Sequence, residues 1–445
     1  MRRFSRIVLS LLILISAADL WAAGDNTASG LSLDEAIQTA IDRSFSIRQA
    51  EEIKKSAVEE KNSARADLFA KAKAHYDYTG LKDQPVLKTE LASIPAAHKD
   101  QYHWNVSLVQ PLFTGFALSS RYRMSGIEVD IRNLEKEQAV QDLVRNVKSV
   151  YFQVLLAQKI FMVTEEAANA LSAHAEDAKK FYDQGLIPYN DLLRSQVALA
   201  DAAQEHERAS AGLKMAVSTL NTLLNVDILA DTQVEDIETV DFLASEFDTL
   251  APRALEHRTE LKALRLGLKN YDYAIRLARS TYFPEIALVG HYEQDGNNFK
   301  ATRNDFSNSH NAAVSFQADW TFFEWGKTRA QVARIRHEKQ ALAEQLNTAE
   351  DAVRLEVRDA LLNLKVSERN ILTAEKSLFQ AREDWRITNL QYQQQVATST
   401  DVLDSRAYLT QADTNYYQAL YGYMIALAEL ERALGSYPEP IAAGS

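Results

Sequence analysis

Three features of the 445-residue sequence predict a mainly α-helical protein with a small β part and an internal duplication. No glycine or proline occurs from Ile127 to Gln184 or from Lys327 to Tyr421, so helices of unusual length are expected there. Adding 210 to positions in the first region lands on matching residues in the second: Val147 on Val357, Tyr182 on Tyr392, Asp191 on Asp401, Leu193 on Leu403, Ser195 on Ser405 and Leu199 on Leu409. Short segments that alternate apolar and polar residues lie between the helical blocks, which is the pattern of half-buried strands.

At the N-terminus, Arg2, Arg3 and Arg6 precede an apolar run from Ile7 to Ile15, and Ala22 and Ala23 follow. This is the order of a cleaved export signal over residues 1–23. Its removal takes away three Arg and Asp19 and moves the net charge from −12 to −14, which disfavours a nucleic-acid partner. The absence of cysteine excludes disulfides, thiolate metal sites, a cysteine nucleophile and a cysteine-linked lipid anchor. Beyond the signal no run approaches the roughly 18–20 apolar residues of a membrane-spanning helix. Insertion in a membrane would therefore require a β-barrel.

The first repeat is read over 24–225 as a helix, strands at about 70–79 and 102–113, a long helix 117–184 and a helix 189–224. In the long helix Val140, Leu143, Val147, Val150, Val154, Ala157 and Phe161 recur at spacings of three and four, as in coiled coils. A linker at 226–250 separates this from the second repeat, 251–435, with a helix, strands at about 285–293 and 312–323, a long helix 327–393 and a helix 401–434; a tail, 436–445, closes the chain. The segments before the long helices match at an offset of 214, pairing Ala40 with Ala254 and Phe69 with Phe283. In 102–109, Tyr102, Trp104, Val106 and Leu108 fall on one face and His103, Asn105 and Ser107 on the other; Val314, Phe316, Ala318, Trp320 and Phe322 alternate with Ser315, Gln317, Asp319 and Thr321 in the same way. The loops 80–101 and 294–311 are polar, so each half supplies one hairpin. Four strands cannot close a barrel, so membrane insertion would demand oligomerisation. A small soluble sheet capping a helical bundle fits the alternation equally well.

Several motifs carry a resemblance over essentially the whole mature chain: Gln110-Pro111-Leu112-Phe113-Thr114-Gly115 with Thr321-Phe322-Phe323-Glu324-Trp325-Gly326 at its repeat position, Ser280-Thr281-Tyr282-Phe283-Pro284, Phe181-Tyr182-Asp183-Gln184-Gly185-Leu186 followed by Asn190-Asp191-Leu192-Leu193, and Tyr392 with Thr400-Asp401-Val402-Leu403-Asp404. Together they resemble the TolC-type outer-membrane efflux family. The resemblance implies a homotrimer with one 12-stranded transmembrane β-barrel, four strands from each protomer, above a twelve-helix tunnel, with residues 225–250 and the chain termini forming a belt. It also implies residence in the outer membrane of a Gram-negative bacterium, extending into the periplasm, and passive export with no enzyme activity. The implied partners are a periplasmic adaptor, an inner-membrane RND, ABC or MFS pump and outer-membrane lipid, as a tripartite efflux or type I secretion system. The competing reading is a soluble periplasmic coiled-coil spacer.

By the same resemblance Asp401 and Asp404 form the pore constriction, with Tyr392 and Asp191 tying the tip helices, while Gly185, Leu186 and Val396 lie where the adaptor docks. Spacing alone places Asp401 and Asp404 on nearly one helix face, which suits a cation-attracting constriction and equally suits N-capping by Ser399, Thr400 or Asp401. The sequence departs from a branch of the family at Ala397, where a basic residue stands, and at Gln395, where glycine is usual. Tyr78, Tyr102, Trp104, Tyr292 and Trp320 are candidate membrane-interface aromatics, with buried packing the alternative for the two tryptophans. The nine histidines show no metal-ligand spacing and read as scattered surface residues, and no cofactor motif is present.

Overall fold

The structure is a computed structural model that describes residues 30–90, 92–237, 242–243 and 246–435. The export signal, the tail at 436–445 and part of the 226–250 linker lie outside the described residues. In chain order the elements are α1 (Leu33–Arg43), α2 (Phe45–Ala66), β1 (Lys71–Gly80), β2 (Val86–Lys88), β3 (Ser93–Pro95), β4 (Asp100–Thr114), α3 (Ala117–Asp183), α4 (Tyr189–Leu224), α5 (Phe247–His257), α6 (Thr259–Arg279), β5 (Glu285–Gly296), β6 (His310–Asp319), α7 (Lys327–Gln393) and α8 (Ser399–Ala433).

The single helix expected before each hairpin is two. Ser44 leaves helical space at φ −59°, ψ 129° and its hydroxyl accepts from the Ile47 N–H at 3.3 Å, ending α1 and capping α2. Arg258, at the repeat-equivalent position, takes φ −57°, ψ 123° and separates α5 from α6. Its buried guanidinium grips the Glu356 carboxylate on α7 with two bonds of 2.8 and 2.7 Å.

The two long helices have 67 residues each, so each spans about 100 Å. The half-length helices stack alongside them. Near the sheet the side-by-side order is α2, α3, α6, α7, and toward the far tips it is α4, α3, α8, α7. On α7 the residues Val357, Leu364, Ile371, Leu378 and Tyr392 recur at multiples of seven and are all buried. Trp385 supplies the remaining place in that seam, against Leu378, Leu409 and Ala412. A seven-residue repeat keeps one face of a supercoiled helix on its neighbours, and each such side chain contributes roughly 1.5–3 kcal/mol by leaving water.

Both repeats turn their chain at the same backbone positions. Gly115 and Phe116 have left-handed φ of 58° and 72°, and Trp325 and Gly326, 210 residues on, have 53° and 82°. Gly185 and Gln395 (72° and 62°) pair at that offset, as do Asn225 and Gly435 (51° and 67°). The duplication is thus kept in backbone conformation even where the residue type has changed. Gly115 also has a packing reason, because a Cβ there would collide with the Ser280 carbonyl oxygen.

The four long strands form one antiparallel sheet in the order β1-β4-β5-β6. Loop 80–101 carries the short β2–β3 hairpin, which the sequence reading did not anticipate. β6 stops at Asp319 rather than 323, where the pairing of Asp319 with Glu285 is the last of the ladder. The preceding residue of the partner strand is Pro284, which has no N–H to extend it.

Candidate functional site: a two-faced sheet and the helix tips

The strand register decides which side chains share a face. Ala72, Ala74, Tyr76 and Tyr78 on β1 stand beside Leu108, Val106, Trp104 and Tyr102 on β4. Leu108 and Val106 stand beside Gly290 and Tyr292, which meet Val314 and Ala312 on β6. A β-bulge between Pro111 and Phe113 reverses the alternation on β4, so that Phe113 joins Ile286 and Ala318 on this same face. The result is one apolar face across all four strands. Its two amide side chains are satisfied locally: Gln110 donates to the Leu68 carbonyl at 3.0 Å, and Gln294 accepts from Trp104 Nε1 at 3.1 Å and donates to the Tyr292 hydroxyl at 2.7 Å. The opposite face carries Lys73, His75, Asp77, Asn105, His103, Glu293 and Asp295, with His103 Nδ1 2.7 Å from Asp295.

Aromatic side chains gather at both ends of the apolar face. At the loop end the tilted rings of Tyr78 and Tyr102 meet at 4.7 Å and those of Trp104 and Tyr292 at 5.5 Å, and the Tyr78 hydroxyl donates to Asp100 at 2.8 Å. At the helix end Phe113, Phe116 and Phe283 meet edge to face, and Trp320, Phe322, Phe323 and Trp325 are exposed. Trp320 lies just past β6 and donates its indole N–H to the Tyr282 carbonyl at 3.2 Å. Tyr102 and Phe113 are eleven residues apart on β4, about 37 Å along the strand and about 28 Å along a membrane normal at a tilt of about 40°. That is close to the hydrocarbon thickness of a bilayer. No helix among the described residues is long and apolar enough to cross one.

About 100 Å away, the α3–α4 and α7–α8 turns have the same hydrogen bonds. Leu186 N–H donates to Phe181 O and Gly185 N–H to Tyr182 O, both at 2.8 Å; Val396 N–H donates to Gln391 O at 2.8 Å and Gln395 N–H to Tyr392 O at 2.9 Å. Each is a Schellman motif with a left-handed residue at its corner. The second turn therefore keeps the form that its sequence, with Gln395 in the glycine position, did not suggest. Leu186 and Val396 are both exposed at the corners.

The next residues differ between the repeats. Thr398, not Ser399, Thr400 or Asp401, is the N-cap of α8, and Asp401 completes its capping box: the Asp401 N–H donates to Thr398 Oγ1 at 3.2 Å and the Asp401 carboxylate accepts from the Thr398 N–H at 2.8 Å. The Thr398 hydroxyl and amide hold the Asp401 carboxyl below its ordinary pKa. That contribution to stability is complete above the ordinary carboxylate range and is lost as pH falls through the lowered value. Asp404 lies one turn on, exposed on the same face as Asp401. At the equivalent place before α4 stands Pro188, with neither side-chain acceptor nor N–H, so Asp191 has no box to close. Arg194 occupies the repeat position of Asp404, and its guanidinium donates to Thr400 Oγ1 at 3.2 Å, joining the two tips.

Tyr392 is 3% exposed, inside its own protomer, with its ring 4.6 Å from His174 and 5.5 Å from Phe181, both on α3. Burial raises its pKa, and the Asp177 and Asp191 carboxylates add to the shift. His174 is buried as well, which corrects the reading of the histidines as surface residues: it continues the apolar stripe Val163, Ala167, Leu171, Ala178 at helical spacing, a signal legible in the sequence. Among the described residues no group of His, Cys, Asp or Glu could hold a metal ion.

Gln395 in the left-handed region carries a strain of about 1 kcal/mol that glycine would not. Gln395→Gly is expected to stabilise the protein by about that amount, read as a raised midpoint in thermal unfolding of the purified protein, whereas Gly185→Gln should lower it.

A sequence model of the outer membrane efflux protein family matches residues 36–226 and 250–436. The outer membrane protein TolC of Escherichia coli is 22% identical over 409 residues, covering 88% of this chain and 80% of that protein. The fold is shared with the Campylobacter jejuni CmeC outer membrane channel (TM-score 0.78, 14% identity, 97% of this chain and 94% of that chain). It is shared also with the outer membrane protein VceC of Vibrio cholerae (TM-score 0.77, 16% identity, 91% and 96%). With the family match covering most of both repeats and the two-faced sheet joined to paired helical tips, the chain belongs to the outer membrane efflux protein family.

Proposed function

We propose that three copies of this chain form a passive exit duct through the outer membrane, fed from the periplasm by an adaptor and an inner-membrane RND, ABC or MFS pump. The observation that carries the reading is the sheet: one face is apolar between two aromatic bands, the other is polar, and β1 and β6 have no strand partner on their outer edges among the described residues. An unpaired strand edge is not tolerated in hydrocarbon. Three sheets joined β6 to β1 give twelve strands without an edge, lipid outside and a polar lumen within.

The helices support the same closure. Opposite its buried seam α7 carries a second apolar stripe, Leu355, Leu362, Leu372, Phe379 and Leu390, which is exposed in the protomer. At the other side of the helix layer α4 exposes Leu193, Val197 and Met215. In a ring, α7 of one copy lies against α4 of the next, and both stripes leave water.

Asp401 and Asp404 then place six carboxylates around the narrow mouth, where crowded acids attract cations and bind multivalent ones. Tyr392 and Asp191 hold the tips beside them. Gly185, Leu186 and Val396, at the exposed corners, are the adaptor's docking points. Substrate choice lies with the pump, whether the system exports small molecules or secretes protein.

Separation of outer membrane from periplasm tests the reading directly: the protein is expected in the membrane fraction as a trimer, and recovery as a soluble periplasmic protein would overturn it. In planar bilayers, Asp401→Ala with Asp404→Ala should raise resting conductance and weaken block by trivalent cations; identical conductance and block would remove the acids from the constriction. Leu186→Glu, which adds charge without disturbing the left-handed Gly185, should abolish export in cells while trimers still form. Full export by that variant would place docking elsewhere.

A further inference from the structure

Of the contacts that join the two tips within one protomer, one is both buried and titratable. His174 on α3 is 4% exposed. Its Nε2 lies 2.9 Å from the Ser399 hydroxyl at the start of α8, its ring lies 4.6 Å from that of Tyr392 at the end of α7, and its Nδ1 is buried without a hydrogen-bond partner. One imidazole thus touches both helices of the second tip from the first. We propose that His174 is a positioning residue of the mouth: neutral, it holds Tyr392 and Ser399 in the closed arrangement, and its protonation releases them. The inference rests on the exit-duct reading above.

The chemistry is set by the two ring nitrogens. A neutral imidazole needs one acceptor and one donor partner at most, and Ser399 can supply either role at Nε2. A protonated ring has two N–H donors and a charge, and at Nδ1 the second donor finds no acceptor in a buried site. The charged groups facing this cluster are Asp177 on α3, which acts on both His174 and Tyr392, and Asp191 on α4, which acts on Tyr392. From α7 and α8 the cluster receives Tyr392 and Ser399, which are neutral. Burial lowers the His174 pKa and Asp177 only partly restores it. The sign follows: the closed arrangement is favoured above the ordinary histidine value of about 6.5 and loses that advantage as pH falls through the lowered one. Exposure of the ring to water on opening lets it take the proton.

The test is the open probability of the full mature trimer in planar bilayers, with pH varied on the tip side between about 7.5 and 5. The wild type is expected to open several-fold more often at the acidic end, and His174→Gln, which hydrogen-bonds but does not titrate, to lose that dependence while forming trimers. A wild type insensitive to pH, or a His174→Gln channel with the same response, would overturn the proposal. Where His174→Gln does not assemble, Ser399→Ala serves: it keeps the imidazole, and its open probability at pH 7.5 should exceed that of the wild type. Equality there would also overturn the proposal. If no channel appears with the wild type or with the Asp401→Ala, Asp404→Ala pair, the exit-duct reading itself has failed, and the role of His174 falls with it.

Discussion

The open outer edges of β1 and β6 are the constraint from which the rest of the architecture follows. A sheet of four strands with one apolar face can be neither left flat in a bilayer nor closed upon itself. The proposed closure among copies would give a ring, and the ring would fix how many helices hang beneath it. Each strand is joined to one helix, β1 to α2, β4 to α3, β5 to α6 and β6 to α7, so four strands continue into four helices. Toward the tips α4 and α8 take over from α2 and α6, and the number side by side stays at four. The wall keeps its width because the half-length helices end and begin at the same level, where Tyr151, Leu155, Leu220, Tyr421 and Leu430 form the common core.

Duplication explains that economy, and its decay at the tips explains the asymmetry of the mouth. The left-handed corners survive in both repeats because the turn geometry requires them, whichever residue has to adopt it. Side chains were free to drift. The first tip has Gly185 in its corner and Pro188 before α4, so it is unstrained but uncapped. The second has Gln395 in its corner and Thr398 before α8, so it is strained but closed by a capping box. A cap of this kind is worth about 1 kcal/mol, similar to the cost of the left-handed glutamine.

The sequence carried the long helices, the duplication and both hairpins because each is written in periodicity or punctuation. Offset pairs such as Tyr182 and Tyr392 place the tips in register from the sequence alone. What it did not carry depends on partners distant in sequence or on local geometry. The alternation runs on through Trp320 to Phe322 in the sequence, but the ladder ends at Asp319, and the helix-end aromatic band of Phe322, Phe323 and Trp325 sits beyond it. The bulge at Pro111 changes which face Phe113 occupies, and no residue pattern signals it alone. Thr398 does not stand out as a cap in the sequence because three good capping types follow it, and only the backbone shows which one turns the chain. His174 lay in plain view on an apolar stripe, but its partner Ser399 is 225 residues away.

Capping and constriction, read from the sequence as alternatives for Asp401, are compatible in the fold. The Thr398 bonds use one carboxylate oxygen and leave the group exposed and more firmly ionised. A cap therefore fixes the direction of the charge that the proposed mouth would present. Asp404 is not held in this way, and Ala397 offers no cation to neutralise either acid. In the proposed trimer these like charges would be brought together and repel, so a closed mouth would need an opposing attraction that is not an ion pair at that place. The burial of Tyr392 between His174 and Phe181 is such an attraction, because an aromatic ring withdrawn from water gains about 2 kcal/mol that salt does not screen. In the proposed duct, closure would be a balance of acid repulsion in the lumen against apolar packing behind it, and a charge on the packed side would shift that balance toward opening.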